Sequence, residues 1–335
     1  MVVKVKNIKR SIVELVGNTP LLQLTNFEKQ ENTEANLFAK LEYFNPAQSS
    51  KDRTALAMIN EAERAGLIKD ESIIVETTSG NTGIGIAAIA AAKGLRSKIY
   101  IQDNVSEERK QAIAAYGAEV VSFLSVSEIA DNIEQIDGDF VGAVKIFKEV
   151  VDQQPNTVFL NQIDNIQNVN AHYETTGPEI YRDTAGEIDL FIATVGTGGT
   201  ISGVGKFLKE QNPSIEIIAV EPAWESVATI EQPDIREITG IHRFSDVAPE
   251  RVPENVKLQY IDKIYEVTTE QAKLYANKVA QTDGILVGIS SGAALAVAHR
   301  LASLKENKNK QIVVLFPDTG LRYLSTGLFD GEVSL

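Results

Sequence analysis

The chain has 335 residues, 43% hydrophobic and 23% charged, an ordinary globular mixture with length enough for two lobes. Forty-six acidic residues against 32 basic ones give a formal net charge of −14, which argues against a nucleic-acid surface and against anionic membranes. Cysteine is absent, so disulfides, thiolate nucleophiles and cysteine-ligated zinc are excluded.

The opening residues Met1-Val2-Val3-Lys4-Val5-Lys6 lack the long apolar core of a secretory signal. No apolar stretch reaches the ~20 residues of a membrane span, so a cytoplasmic soluble protein is the expectation. The first predicted strand is 36–41. A turn-rich segment then runs into a helix over 52–65, with Ala55, Met58, Ile59 and Ala62 on one face and Gly66 as its stop. A strand at 72–76 precedes a helix at 83–93 that is nearly all Ala and Ile, so buried all round, and stops at Gly94. Strands at 98–101 and 119–123 follow. Residues 125–138 are polar and acidic with no strand pattern, and 153–156 read as a turn before a strand at 157–160. Beyond lie a strand at 189–195, a helix at 200–211, a strand at 216–220, helices at 269–283 and 291–304, and a strand at 311–316. Several strands are continuous Val/Ile/Leu runs, as expected when both faces are buried. The alternation predicts an α/β, two-lobed protein, each lobe a mainly parallel twisted sheet flanked by helices. The expected boundaries are a smaller, mobile lobe over 42–155 and a larger one built from 1–41 and 156–335.

Lys51 stands out. It sits in Asn45-Pro46-Ala47-Gln48-Ser49-Ser50-Lys51-Asp52-Arg53. Pro46 disfavours helix at Asn45, and Ser49 or Ser50 can cap the helix that follows. The amine is thereby placed at a helix N-terminus, where the macrodipole opposes its ammonium form. A lysine that must be neutral to react with a carbonyl gains from that placement. Asp52 and Arg53 have the duller reading of pairing with neighbours or backbone.

Two loops complete the pattern. Thr78-Ser79-Gly80-Asn81-Thr82 lies between a buried strand and a buried helix. A capped helix start explains one hydroxyl and one glycine there, but not five small or hydrogen-bonding residues in a row. Hydroxyls and N–H groups at a helix start form an anion site, suited to a carboxylate, with Asn81 free to donate to a cofactor phenolate. Gly196-Thr197-Gly198-Gly199-Thr200 opens another helix after a strand. The dinucleotide fingerprint fails because Ile201 occupies the place of its third glycine, and no Gly-Lys-Ser/Thr follows. A phosphate monoester is the better guest. Amine, hydroxyl loop and glycine loop together suit pyridoxal phosphate. Gly288-Ile289-Ser290-Ser291-Gly292 on its own reads as a serine cap. His172, His242 and His299 are scattered without metal spacing, and no metal is expected.

These ordered motifs resemble the β-family, or fold type II, of pyridoxal-phosphate enzymes, and within it the cysteine synthases, also called O-acetylserine sulfhydrylases. The resemblance spans nearly the whole chain, from Val16-Gly17-Asn18-Thr19-Pro20-Leu21 through Thr175-Thr176-Gly177-Pro178-Glu179-Ile180 to Pro317-Asp318-Thr319-Gly320-Leu321-Arg322-Tyr323-Leu324-Ser325-Thr326. It implies that Lys51 forms the internal aldimine and acts as the general base. It implies that Asn81 bonds the ring oxygen and that Gly196, Thr197, Gly198, Gly199 and Thr200 cradle the phosphate. Ser290, rather than its neighbour Ser291, would face the pyridine nitrogen. Thr78, Ser79, Asn81 and Thr82 would bind the substrate α-carboxylate, with Gln162 helping from the other lobe. The implied reaction is β-replacement, L-cysteine from O-acetyl-L-serine and sulfide through an α-aminoacrylate. A serine at the ring nitrogen makes a weaker electron sink than an aspartate, which suits fast loss of a β leaving group. A homodimer that docks the C-terminal tail of serine acetyltransferase is implied by family alone.

The chain departs from the family pattern at three places, one of them the segment 125–154, which is longer than usual. Gln48 replaces a glycine of the lysine segment, and Gly240-Ile241-His242-Arg243 continues with large residues where small ones are usual. The reading adopted is that His242 and Arg243 point to solvent; the alternative is that they admit a bulkier or anionic second substrate. Competing functions are cystathionine β-synthase-type condensation with homocysteine, then threonine or serine dehydration. A non-catalytic regulatory protein on the same scaffold is a further reading, disfavoured because both Lys51 and Asn81 are present.

Overall fold

The computed structural model describes residues 8–102, 105–132, 139–228 and 237–330. The first half of the chain runs β1 (Leu21–Gln23), α1 (Thr25–Glu31), β2 (Asn36–Leu41), α2 (Lys51–Arg64), β3 (Ile73–Thr78), α3 (Asn81–Lys93), β4 (Arg96–Ile101), α4 (Glu107–Ala115) and β5 (Glu119–Ser122). Then come α5 (Ser127–Ala130), α6 (Phe140–Val151), β6 (Thr157–Phe159), α7 (Ile166–Ala171), α8 (Gly177–Asp183), β7 (Leu190–Thr194) and α9 (Gly199–Gln211). The last elements are β8 (Glu216–Pro222), β9 (Lys263–Val267), α10 (Thr269–Asp283), α11 (Ile289–Ala302) and β10 (Gln311–Phe316).

Two sheets result. The larger has the order β1-β2-β10-β7-β8-β9, parallel except for the edge pairing of β1 with β2; the smaller, β5-β4-β3-β6, is parallel throughout. The alternation of side chains along each strand explains why both faces are covered. In β7, Leu190 and Ile192 enter the core beneath α10 and α11, while Phe191 and Ala193 enter the core on the α9 side. In the small sheet Ile74 packs with Ile84 and Met58 of α3 and α2, and Val75 with Phe147 of α6.

The main elements stand where the hydrophobic pattern places them, with instructive shifts. The helices begin earlier than read: α2 at Lys51, α3 at Asn81, α9 at Gly199 and α11 at Ile289. The polar motifs therefore occupy first turns of helices and not only the loops before them. The strand expected at 157–160 in the larger lobe is β6, and it pairs in parallel with β3. It belongs to the small sheet, and so does the approach to Gln162. Of the acidic stretch at 125–138, residues 133–138 lie outside the described residues, and its first part carries the short α5.

Candidate active site

Parallel strands aim their C-terminal ends, and the helices that follow aim their N-terminal ends, at the same crevice. One cleft is lined from the end of β3 by Thr78, from the end of β7 by Thr194, and after β10 by Pro317. It is also lined by the first turns of α2, α3, α9 and α11, through Lys51, Asn81 and Thr82, Gly199 and Thr200, and Ser290. Four positive helix ends converge there, which favours an anionic guest. All the residues singled out from the sequence line this cleft: Lys51, Thr78, Ser79, Asn81, Thr82, Gln162, the run Gly196 to Thr200, and Ser290.

Lys51 opens α2, and its backbone N–H donates to Ser49 Oγ at 3.2 Å; Ser50 takes the N-cap position without a side-chain capping bond. Burial pushes the Lys51 amine below its ordinary pKa, against the pull of Asp318 and Glu42. The side chain makes no hydrogen bond or ion pair among the described residues. An unengaged amine facing a cleft, its charged form disfavoured by burial, is suited to act as a nucleophile or base. Arg53 lies below it in an ion network, bonded to Glu42 and Glu179, the structural pairing expected of it. Asp52 is buried too. Burial raises its carboxyl to about 7 although Ala47 N–H donates to it.

The glycine loop is glycine for steric reasons. Gly198 has φ +85°, and a Cβ there would meet Val256 Cγ2 at 2.5 Å; a Cβ on Gly199 would collide with Asn168 Oδ1. The leading N–H groups of α9 have no intrahelical acceptor by geometry, so a bare-backbone cradle is left at the cleft. Its hydroxyls are fixed from behind. Asn168 Nδ2 donates to Thr197 Oγ1 at 2.9 Å, and Thr200 Oγ1 lies 3.1 Å from His172 Nε2. Burial lowers His172 to about 3, so its ring is neutral and serves as a strut.

In the hydroxyl loop, Thr78 Oγ1 accepts from Gly80 N–H at 3.0 Å and Thr82 Oγ1 donates to Gln162 Oε1 at 2.5 Å. Gln162 Nε2 donates to Thr77 O at 3.1 Å. Gln162 therefore works from the same sheet as this loop, and the expectation that it reaches over from the other lobe is corrected. Asn81 is anchored in a way the sequence did not reveal. Its Nδ2 donates to Asp318 Oδ2 at 2.7 Å, and Arg322 donates to its Oδ1 at 2.5 Å. Tyr323 OH holds the same Asp318 oxygen at 2.7 Å. The C-terminal motif is thus the mount for Asn81. Ser290 faces the cleft, whereas Ser291 Oγ is buried and has no hydrogen-bond partner among the described residues.

The solvated reading of His242 and Arg243 is overturned. Arg243 is 7% exposed, donates to Asp246, Glu266 and the Pro222 carbonyl, and lies 4.5 Å from the Trp224 ring centre. Three nearby carboxylates and an aromatic face hold it out of the cleft, so it offers no charge to a second substrate. His242 does line the cleft, stacked on Phe140 with centroids 4.7 Å apart and planes 12° from parallel. Phe140, Arg109 and Thr239 also line it and were not anticipated. They come from segments with no sequence signal beyond ordinary helix or loop.

A two-lobed α/β fold with a buried amine facing a backbone anion cradle defines an enzyme of the pyridoxal-phosphate kind. Residues 12–318 match the family model described as pyridoxal-phosphate dependent enzyme, and the chain belongs to that family. Among curated proteins it is 40% identical to a cysteine synthase of Staphylococcus aureus (strain N315) over 320 residues, 95% of this chain and 96% of the relative. Among solved structures it is similar to O-acetyl serine sulfhydrylase isoform 3 from Entamoeba histolytica, with TM-score 0.81 and 34% identity, covering 98% of this chain and 95% of that one. It is equally similar to a hydrogen sulfide-producing enzyme from Fusobacterium nucleatum, with TM-score 0.81 and 34% identity over 95% of this chain and 100% of the other. The residues present fit the cofactor. The amine of Lys51 suits its aldehyde, and the cradle that excludes any Cβ at Gly198 and Gly199 suits its phosphate. Among the described residues no cluster of three His, Cys, Asp or Glu could hold a metal, and no helix is long and apolar enough to cross a membrane.

Proposed function

We infer that the protein is a pyridoxal-phosphate-dependent cysteine synthase, which makes L-cysteine and acetate from O-acetyl-L-serine and sulfide. The observation that carries this reading is the convergence of Lys51, the 78–82 hydroxyl loop and the 196–200 glycine loop on one cleft. The cofactor, when bound, supplies the electron sink that acidifies the α-proton of an amino acid and allows its β-substituent to leave. Lys51 would hold it through Nζ, Gly196 to Thr200 would hold its phosphate, Asn81 its ring oxygen and Ser290 its ring nitrogen.

Thr78, Ser79, Asn81, Thr82 and Gln162 present hydroxyls, amides and the start of α3 to the α-carboxylate. With the carboxylate fixed, the α-proton falls to Lys51 Nζ as general base, and the same amine returns the proton after sulfur has added. Burial lowers the pKa of that amine and so disfavours its charged form. A hydroxyl at Ser290 donates or accepts without carrying a proton charge, which limits carbanion lifetime and favours prompt departure of acetate. The lobe around the small sheet, which extends past the expected end at 155 to include β6, is the part proposed to close over the substrate and exclude water.

A cytoplasmic homodimer that receives the carboxylate end of a serine acetyltransferase tail in the same cleft belongs to this proposal, on family resemblance. The relatives named above do not favour condensation with homocysteine, dehydration or a non-catalytic role. The decisive assay supplies O-acetylserine with either sulfide or homocysteine and separates the products. Cysteine from the sulfide reaction is expected; cystathionine alone would overturn the assignment.

A further inference from the structure

Phe140 and His242 reach the cleft from opposite sides of the seam. Phe140 is the first residue of α6, whose Val144, Phe147 and Val151 pack in the cores of the small sheet. His242 belongs to the other side. Its N–H donates to Val195 O at 2.9 Å, just past β7 and next to the glycine loop. The two rings are stacked face to face at 4.7 Å, so nothing fits between them, and both line the cleft that contains Lys51. Burial lowers His242 to about 4, so the imidazole is uncharged at neutral pH and the pair gives an arriving anion no cationic partner. The neighbouring cation, Arg243, is spent on Glu221, Asp246 and Glu266.

We propose that the Phe140–His242 stack is a size filter for the second substrate, passing hydrosulfide and rejecting thiols carried on an amino-acid chain. The inference rests on the β-replacement reading above and adds the residues that choose the nucleophile. Hydrosulfide is a single heavy atom and passes beside closed rings. The filter acts on the second step only: with the amino-acid subsite already filled by O-acetylserine, homocysteine would have to bring its sulfur in on a further chain with a charged carboxylate and ammonium, and the stacked rings would have to part to admit it. Parting them also breaks the aromatic bridge between the two sides of the cleft.

The test measures kcat/KM for sulfide and for homocysteine, each with O-acetylserine, in the wild type, His242→Gly, Phe140→Ala and His242→Phe. The expected result is a homocysteine-to-sulfide ratio raised about tenfold or more in His242→Gly and Phe140→Ala, the scale of a steric pocket change. His242→Phe retains a flat ring and is expected to keep the wild-type ratio, which separates a steric filter from an acid–base role and from general damage. A ratio unchanged in both truncated variants, or a wild type that uses homocysteine as well as sulfide, would overturn the filter. A wild type that makes no cysteine from sulfide would overturn the underlying reading and the filter with it.

Discussion

Arg53→Met tests how the lysine-bearing helix is held in place. Arg53 is 3% exposed and donates to Glu42 at 2.7 and 2.9 Å, to Glu179 at 2.7 Å twice, to Thr175 at 2.9 Å and to Thr19 at 3.1 Å. These bonds join α2, two residues past Lys51, to the segment around Thr19 and to α8. Glu179 also has Lys40 at 2.9 Å, but Arg53 is the cation paired with the fully buried Glu42. Burial alone raises the Glu179 carboxyl, yet Arg53 and Lys40 bring it down to about 2. Removing the guanidinium strands Glu42, and breaking a buried pair from one side costs about 3–5 kcal/mol. For 335 residues, an unfolding entropy of about 2.1 cal/mol/K per residue turns that into a fall in Tm of roughly 4–7 °C. Calorimetry of Arg53→Met, Glu42→Gln and the double variant provides the check. Glu42→Gln should be costly with Arg53 present and favourable without it, a coupling of about 2 kcal/mol. The pH sign follows from the depressed Glu179 carboxyl. Its stabilisation is present above pH 4.5 and lost as pH falls towards 2, and Arg53→Met should flatten that acid limb. A single variant that melts with the parent, or a double variant no better than Arg53→Met, would refute the network argument.

Other expectations concern the cleft itself. Gly199→Ala drives a Cβ into Asn168 Oδ1, so cofactor affinity measured by absorbance titration should fall about tenfold or more; unchanged affinity would deny the loop its cradle role. Ser290→Ala should alter the bound cofactor's visible spectrum, whereas Ser291→Ala should leave the spectrum alone. Removing the partnerless Ser291 hydroxyl should also raise stability by about 1 kcal/mol in urea titration; a spectral change from Ser291→Ala would reverse the assignment. His172 and His242 are held neutral in the fold, at about 3 and about 4 against an ordinary 6.5. The unfolded chain therefore takes up protons first, and stability drops as pH falls from about 6.5 towards 4. His242→Asn should lose less stability between pH 7 and pH 5 than the parent; an equal loss would show that this ring does not titrate in that way.

The legible part of this protein was its strand–turn–helix grammar. Continuous runs such as Gln311–Phe316 mark strands buried on both faces, and polar or glycine clusters at their ends mark helix starts at the cleft. Other features depend on partners remote in sequence. β9 is an edge strand with most of its residues at least partly exposed, so it shows no apolar run. α6 carries a readable stripe, Val141, Val144, Phe147 and Val151, but it follows a polar, acidic stretch with no strand pattern to bracket it. The tie of Asn81 to Asp318 and Arg322 spans more than 230 residues, and no local pattern announces it. Arg243 looked solvated because its three carboxylate neighbours come from β8, β9 and its own loop and meet only in the fold.

Lys51 is the residue on which the functional account stands or falls. The direct measurement compares wild type and Lys51→Ala, both purified and saturated with pyridoxal phosphate. Visible absorbance is read after gel filtration, and cysteine formation from O-acetylserine and sulfide is followed in parallel. The account predicts a coloured, active wild type, and a variant that retains its fold by circular dichroism but loses both the retained colour and turnover. A colourless wild type, or a Lys51→Ala variant that still makes cysteine at a comparable rate, would contradict it.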